Sequence, residues 1–202
     1  MLKILTSEYQ NQCKDFLFKH FFQCEPISKA LCLTEEEIFV FLEIVLSNAV
    51  KDGLSTIKVS STDNIIGCII TQDYFKEIDT SFELISENFT PLFVFLDELG
   101  VPFKKKYKKE KNSFAHLLMI ATSESKIATQ LIEYSLNHLK QKKFSYAVLE
   151  ATGEISQHIS LNNFHFDEIH RINYSDFFFG NEYVFESIEE PKACVFYMKR
   201  LG

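Results

Sequence analysis

The stretch TSESKIATQL (122–131) joins small polar residues to a pattern that predicts an amphipathic helix over 126–141. The first N–H groups of a helix lack acceptors within it and lie at the positive end of its dipole, so such a turn can bind phosphate. Glycine often allows close approach there, but the nearest glycines are Gly100 and Gly153. Because any residue except proline supplies a main-chain N–H, the donors remain. An ordinary capped helix start is the alternative.

The elements around this turn alternate between strand and helix patterns. Strands are predicted at 2–5, 55–61, 64–74, 114–122, 144–152, 166–175 and 192–201. Helices are predicted at 8–22, 24–33 after a break at Pro26, 33–53, from Thr90 onward, 126–141 and 154–163. Helices interleaved with strands predict an α/β (α+β) fold with a mixed sheet, and 202 residues fit a single domain over 1–202.

Local signals define three of these helices. Thr34 and Glu37 have the spacing of a capping box, and Gly53 ends that helix. Pro91 suits the first turn of the helix that Thr90 begins. The predicted buried stripes are Ile38, Phe41, Leu42, Val45 and Ala49 in the first, Phe93, Leu96 and Leu99 in the second, and Ala128, Leu131, Ile132, Ser135 and Leu139 in the third.

Composition limits the classes of function. The net charge of −7 makes nucleic acid an unlikely general partner and suits a cationic ligand. Five cysteines without a CxxC pair predict reduced thiols and no metal site. The start is not that of a signal peptide, and no apolar run reaches the length of a membrane span, so we expect a cytoplasmic protein without membrane association. The lysine run KKKYKKEK (104–111) is expected to be solvated, with an anion-binding surface as the alternative.

Three segments, taken in order, resemble the GCN5-related N-acetyltransferase (GNAT) superfamily, and most closely its arylalkylamine and dopamine N-acetyltransferase branch. FLFKHFFQCEPISKAL (16–31) is similar to the "F…EP…L" signature of that branch. NIIGCIITQDY (64–74) resembles its central hairpin strand, and NYSDFFFGNEYVFESIEEPKACVFYMKRL (173–201) resembles its C-terminal pattern. The resemblance covers nearly the whole chain. It implies a sheet of about six to seven strands, flanked by helices, with two central parallel strands splayed apart.

The resemblance implies acetyl-CoA as co-substrate, held in the gap between the splayed strands. Backbone groups of Leu118, Met119 and Ile120 would hold the pantetheine arm like an added strand. The pyrophosphate would lie on the helix start, for which we predict Ser123, Ser125, Lys126, Ile127 and Ala128 as binding residues. Of the family signature Arg/Gln-x-x-Gly-x-Gly/Ala, Ser123, Lys126 and Ala128 occupy the three defined positions, and only Ala128 matches. Lys126 could add a positive charge, whereas the carboxylate of Glu124 would repel phosphate.

The resemblance also implies three catalytic residues. Glu25 stands at the "EP" position, where the branch has its general base; the alternative is a solvated glutamate before a helix. Thr152 and Ser156 stand where the branch has serines implicated in catalysis; capping of the helix at 154–163 is the alternative. Leu161 occupies the position of the tyrosine that many members use as the acid for the thiolate. His158 and His165 are nearby candidates for that task, although a lone histidine is more often structural.

These features predict acetyl-CoA-dependent N-acetylation of a small primary amine. Aromatic side chains around FLFKHFF and an acidic or neutral cleft favour an arylalkylamine or a polyamine over an acidic amino acid or an aminoglycoside. The alternatives are a GNAT fold that binds an acyl-CoA or a protein without turnover, and acetylation of a protein N-terminus or lysine. We expect a monomer or a homodimer.

Overall fold

The computed structural model describes residues 1–76, 83–107 and 113–202. Its strands are β1 (Leu2–Ile4), β2 (Thr56–Val59), β3 (Ile65–Asp73), β4 (Phe114–Thr122), β5 (Tyr146–Ala151), β6 (Asp167–Asn173) and β7 (Ala193–Arg200). Its α-helices are α1 (Gln10–Leu17), α2 (Pro26–Ala30), α3 (Glu35–Asp52), α4 (Thr90–Lys106), α5 (Ser125–Gln141) and α6 (Glu154–His158). A π-helical turn follows α1 at Phe18–Phe22, and another follows α6 at Ile159–Asn163. Lys108 to Lys111, in the lysine run, lie outside the described residues.

The strands form one mixed sheet, and this confirms the predicted fold class. Their order is β1-β2-β3-β4-β5-β7-β6, a seven-stranded sheet. Only the central pair β4–β5 is parallel among the described strands, and the other neighbours are antiparallel. The helix α5 connects the two parallel strands, as a crossover connection requires.

The two parallel strands separate after a short paired stretch. Phe114 to His116 pair with Tyr146 to Val148, and the pairing stops there. Beyond that point β4 is paired only with β3, up to Thr122 opposite Gly67, and β5 only with β7. Between the pairs Thr71–Leu117 and Ile70–Met119, β4 has one extra residue, Leu118. Such a bulge bends the strand, and here it lies where β4 leaves β5. The predicted splay is therefore present.

Helix α3 forms as its sequence predicts. The Thr34 hydroxyl accepts the N–H of Glu37, and the Glu37 carboxylate accepts the N–H of Thr34. Gly53 ends the helix with φ of 62°, a left-handed conformation that glycine adopts without strain. The whole predicted stripe of α3 is buried.

The helices cover both faces of the sheet. Cys68 and Ile70 of β3 pack with α1 and α3, whereas Ile69, between them, packs with α5. Because successive strand residues point to opposite faces, α5 lies across the sheet from α1 and α3. The predicted stripe of α5 is entirely buried.

The buried face of α4 differs in part from the predicted one. Its buried residues are Phe95, Leu99, Gly100 and Phe103. Of the predicted stripe, Leu99 is buried and Leu96 is partly buried, whereas Phe93 is 36% exposed. The side chains that face the sheet therefore repeat every four residues from Phe95, and they pack beside Phe196 of β7. Phe93 instead stacks on Phe89 at the start of the helix, with ring centroids 5.9 Å apart. No helix among the described residues is both long and apolar enough to cross a bilayer.

Candidate active site

A cleft of about 870 Å³ opens where β4 and β5 separate. Four segments form its walls. They are the π-helical turn with the start of α2, the end of β4 with the start of α5, the end of β5 with α6, and the loop 187–191. The strand separation therefore brings together side chains that are more than 100 residues apart in the sequence. Thr152, Ser156 and Glu25 all line this cleft, as do Ile120, Ser123, Ser125 and Ala128.

The turn between β4 and α5 presents unpaired main-chain donors to the cleft. Glu124 is the N-cap of α5 in an extended conformation, with φ of −144° and ψ of 140°, and no side chain caps the helix. Within the part of the chain that the structure describes, no acceptor is recorded for the N–H groups of Glu124, Ser125 and Lys126. They are the orphan donors of a helix start. The turn therefore retains its capacity to bind an anion without glycine.

Two of the predicted phosphate-binding residues use their N–H groups elsewhere. Ser123 donates its N–H to the Ile66 carbonyl over 3.0 Å and its hydroxyl to the same oxygen over 3.1 Å. The N–H of Ile127 donates to the Glu124 carbonyl over 3.0 Å, and its side chain is buried. The available donors are therefore those of Glu124, Ser125 and Lys126, of which only Glu124 and Ser125 line the cleft.

The charges in this turn neutralise each other. The Lys126 ammonium lies 2.6 Å from the Glu124 carboxylate, and both side chains are exposed. This hydrogen bond, with the negative charge of Glu124, raises the pKa of Lys126. Lys126 does not line the cleft, and neither do the side chains of Leu118, Met119 and Ile127. A cofactor contact of Leu118 or Met119 would have to come from the backbone.

Glu25 is buried and serves as the N-cap of α2. The residue is 8% exposed. One carboxylate oxygen accepts the N–H of Ile27 over 3.1 Å, and the other accepts the N–H and the hydroxyl of Ser28, each over 2.6 Å. Pro26 occupies the first turn, which its fixed φ suits. Of the alternative, a solvated glutamate before a helix, the solvation is wrong and the position before a helix is confirmed, whereas the role of general base stays a prediction.

The two predicted hydroxyls line the opposite wall and do not cap α6. The N-cap is Gly153, without a side-chain cap. The Ser156 hydroxyl donates to the Gly153 carbonyl over 2.7 Å. No partner is recorded for the Thr152 hydroxyl among the described residues, so it is available to a ligand. The capping alternative for these two residues is wrong, whereas their catalytic role stays a prediction.

Tyr174 is a supporting residue that the sequence did not single out. It is fully buried, and its hydroxyl donates to the carbonyl of Thr152 over 2.7 Å. Burial raises the pKa of Tyr174 well above its usual range, and the nearby Cys194 and Glu25 contribute in the same direction. The hydroxyl therefore stays protonated and fixes the backbone of Thr152. The only signal in the sequence was its place in the segment resembling the family's C-terminal pattern.

A buried hydrogen bond between two side chains lies where the strands part. His116 of β4 and Glu150 of β5 are hydrogen-bonded side chain to side chain, and both side chains are less than 10% exposed. His116 belongs to the last residue pair of the two strands. The contact therefore joins β4 to β5 immediately before the cleft begins.

The other histidines differ in their relation to the cleft. His20 lines it, stacked on Phe16 with ring centroids 4.4 Å apart. Burial and then the neighbouring Lys19 lower the pKa of His20, which keeps the ring neutral at neutral pH. His158 and His165 are exposed and do not line the cleft. The structure therefore gives no support to either as the acid for the thiolate.

Carboxylates dominate the cleft lining. They are Glu25, Glu124, Glu154, Glu189 and Glu190, against one ammonium among the described lining residues, that of Lys29. Of the FLFKHFF segment only His20 and Phe21 reach the cleft, because Phe18 and Phe22 pack on Phe39 and Phe41 of α3. The aromatic contribution to the cleft is thus smaller than the sequence suggested.

No family model matches this chain. Its fold, however, matches solved structures over nearly its whole length. The C-terminal condensation domain of Ebony in complex with beta-alanyl-dopamine has a TM-score of 0.88 at 17% identity, covering 99% of this chain and 98% of that one. Arylalkylamine N-acetyltransferase 2 from Aedes aegypti has a TM-score of 0.83 at 22% identity, with 100% and 99% covered. A Drosophila melanogaster polyamine N-acetyltransferase that forms N-acetylagmatine has a TM-score of 0.79 at 11% identity, with 99% of each chain covered. This chain therefore has the fold of the GNAT acetyltransferases.

Proposed function

We propose that the protein is an acetyl-CoA-dependent N-acetyltransferase that acts on a small primary amine, an arylalkylamine or a polyamine. The observation that carries this proposal is the cleft between β4 and β5. It combines unpaired strand edges, the free N–H groups of Glu124 and Ser125, the buried carboxylate of Glu25 and the hydroxyls of Thr152 and Ser156. Proteins of the same fold act on arylalkylamines and on polyamines.

The transfer needs a proton acceptor at the amine and a proton donor at the thiolate. The amine nitrogen attacks the thioester carbon, the C–N bond forms, and the C–S bond breaks as the thiolate leaves. Glu25 is the proposed acceptor of the amine proton, directly or through water. Its three donors fix its orientation, and a carboxylate has further lone pairs available.

Ser156 and Thr152 are the proposed proton donors to the thiolate. The Thr152 hydroxyl is unpaired in the described structure, whereas the Ser156 proton points to the Gly153 carbonyl. The Ser156 hydroxyl must therefore give up its hydrogen bond to Gly153 before it can donate, and that of Thr152 need not. This difference favours Thr152 as the first donor to test.

The acceptor is inferred from the charge of the cleft. An amine arrives as an ammonium ion, and the carboxylates of Glu154, Glu189 and Glu190 at the cleft attract it. Phe21 and the neutral ring of His20 can contact an aryl or alkyl body on the same wall as Glu25. An acidic acceptor such as glutamate would be repelled.

CoA release across a panel of amines tests this proposal. The panel holds tyramine, tryptamine, spermidine, glutamate, kanamycin and a short peptide with a free N-terminus. Turnover of tyramine, tryptamine or spermidine above the others supports the proposal. A preference for glutamate contradicts the electrostatic reasoning, and a preference for the peptide indicates a protein acetyltransferase.

One set of observations favours a second candidate, an acyl-CoA-binding or protein-binding module without turnover. Glu25 caps α2, the Ser156 proton is engaged, and Lys126 is paired with Glu124. Each of these contacts is compatible with a structural role alone. Binding of acetyl-CoA without CoA release on any member of the panel would select this module over the enzyme.

A further inference from the structure

We propose that the cleft recognises its thioester donor through the pantetheine arm, and that the nucleotide half of CoA adds little to binding. The inference rests on the proposed function and deepens it. It widens the donor class from CoA thioesters to acyl thioesters of pantetheine in general, including those with a single phosphate. The evidence for it is the charge of the side chains that line the cleft and the unpaired edges of β4 and β5.

The strand edges supply neutral contacts to the pantetheine arm. After the pair His116–Val148, the facing edges of β4 and β5 have no partner strand. The exposed N–H and C=O groups of such an edge can pair with an extended amide chain, as they would with an added strand. Pantetheine is a chain of this kind and carries no charge, so the acidic surroundings do not weaken its binding.

The turn that would meet the phosphates is not cationic. The N–H groups of Glu124, Ser125 and Lys126 attract an anion, but the carboxylate of Glu124 belongs to the same turn. The only cation there, the ammonium of Lys126, already lies 2.6 Å from that carboxylate. A phosphate would therefore meet oriented N–H dipoles together with a negative side chain, and the two effects oppose each other.

The surroundings of the turn add further negative charge. Glu154, at the first turn of α6, and the pair Glu189–Glu190 line the same cleft. Lys29 is the one ammonium in the described lining, and the pKa of His20 is lowered by burial and by Lys19, so its ring is neutral. The nucleotide half of CoA brings a pyrophosphate and a phosphate monoester, roughly three to four negative charges. Lys192 lies 3.8 Å from Glu190, but the carboxylates of the lining still outnumber the cations, so the net charge of the cleft opposes the nucleotide.

The inference predicts how the Kd of CoA responds to added salt. If the nucleotide were held by net attraction to positive groups, added salt would weaken CoA binding. If repulsion by the carboxylates offsets the N–H contacts, added salt should leave the Kd of CoA unchanged or lower it. Binding of uncharged pantetheine should not depend on salt in either case, and it therefore serves as the internal reference.

Calorimetric titration of the full chain with CoA, 4′-phosphopantetheine and pantetheine tests the inference, at about 50 mM and about 300 mM NaCl. We expect the three Kd values to agree within about tenfold, which is about 1.4 kcal/mol, with no weakening of CoA binding at the higher salt. A Kd for CoA more than about tenfold below that of pantetheine, or a clear loss of CoA affinity with salt, overturns the inference and leaves the proposed function intact.

A matched pair of variants tests whether Glu124 repels the phosphates of CoA. Glu124→Gln removes the carboxylate from the turn and frees Lys126, so CoA should bind about five- to tenfold more tightly, with pantetheine unchanged. Glu133→Gln removes the same charge from an exposed site on α5 away from the cleft, and should change neither Kd. Equal effects of the two variants would contradict a local role of Glu124. If none of the three ligands binds, the proposed function fails together with this inference.

Discussion

Replacing Glu25 by asparagine separates the two tasks that the structure gives to this side chain. As the N-cap of α2, Glu25 accepts the N–H groups of Ile27 and Ser28. Asparagine is among the best N-cap residues and accepts the same kind of N–H bond, but its amide cannot take a proton from an amine. Glu25→Asn should therefore keep the helix cap and remove the base, whereas Glu25→Gln keeps the length of the side chain.

The expected magnitudes follow from the three hydrogen bonds of 3.1, 2.6 and 2.6 Å. In Glu25→Gln, an NH₂ group replaces one acceptor and faces donors at a buried site, which costs about 1–3 kcal/mol of unfolding free energy. Glu25→Asn should lose less than about 1 kcal/mol. Loss of a general base lowers kcat by about a hundredfold to ten-thousandfold. Both variants should therefore lose activity, and only Glu25→Gln should also lose much stability.

Two assays measure these effects separately. Release of CoA thiol with the best amine of the panel gives kcat and KM, and urea unfolding gives the free energy of unfolding. Acetyl-CoA affinity should remain near that of the wild type, because the base acts on the amine. Ser28→Ala is the control, since it removes one donor to Glu25 and leaves the carboxylate in place. A folded Glu25→Asn protein with a third or more of the wild-type kcat would refute the assignment of Glu25 as the base.

Three further predictions concern the other cleft wall, the turn and the helix cap. Ser156→Ala should lower kcat if the hydroxyl protonates the thiolate; if it only donates to Gly153, the effect should be a loss of up to about 1 kcal/mol in urea unfolding. Ser125→Pro removes a free N–H from the first helical position, where proline is tolerated after the extended Glu124. Calorimetry should show weaker binding of CoA and unchanged binding of pantetheine. Equal weakening of both ligands would argue against a phosphate contact at this N–H. Hydrogen bonds from Ser86 first, and then from Thr34, lower the pKa of Glu37 from 4.5 to about 2. Because this folded-state pKa is depressed, its stabilisation is complete above about pH 4.5 and is lost as the pH falls toward about 2. After allowance for solvent screening, wild-type stability should fall by about 1 kcal/mol more than that of Glu37→Gln over this range, and parallel urea-unfolding curves for the two proteins would contradict the assignment.

Local sequence signals predicted the ends of a helix or strand well where a single local feature sets them. The capping box of Thr34 and Glu37 and the left-handed Gly53 fix the ends of α3, and the strand at 114–122 has the predicted bounds. In α4 the prediction was right for Leu99 and wrong for Phe93, because three phenylalanines, at 93, 95 and 103, compete for the buried face. Only the position of the helix on β7, which is a tertiary property, selects Phe95 and Phe103 over Phe93.

Part of the residue set that lines the cleft could be predicted from the sequence, whereas Leu118, Met119, Lys126 and Ile127 do not line it and the hydrogen bonds of the site could not be predicted. Glu25, Thr152 and Ser156 were placed by resemblance, and the structure brings all three to one cleft. Their hydrogen-bond partners depend on backbone geometry that spacing does not reveal. The burial of Glu25 and the hydrogen bond from Tyr174 to the Thr152 carbonyl result from packing between segments that are distant in the sequence. Short-range sequence patterns do not predict such packing.

The gap between the central strands is stable because each strand has a complete partner on its other side. Past His116, β4 remains paired with β3 as far as Thr122, and β5 remains paired with β7 as far as Ala151. The extra residue of β4, Leu118, turns the strand away, while the contact of His116 with Glu150 joins the strands just before the turn. Removing one partner would leave the other buried without this hydrogen bond, which typically costs about 1–3 kcal/mol. The gap between the strands is thus a feature of the sheet itself, and the turn between β4 and α5 only adds one wall to the cleft. The proposed binding of an extended amide chain between the strands therefore does not require glycine in that turn.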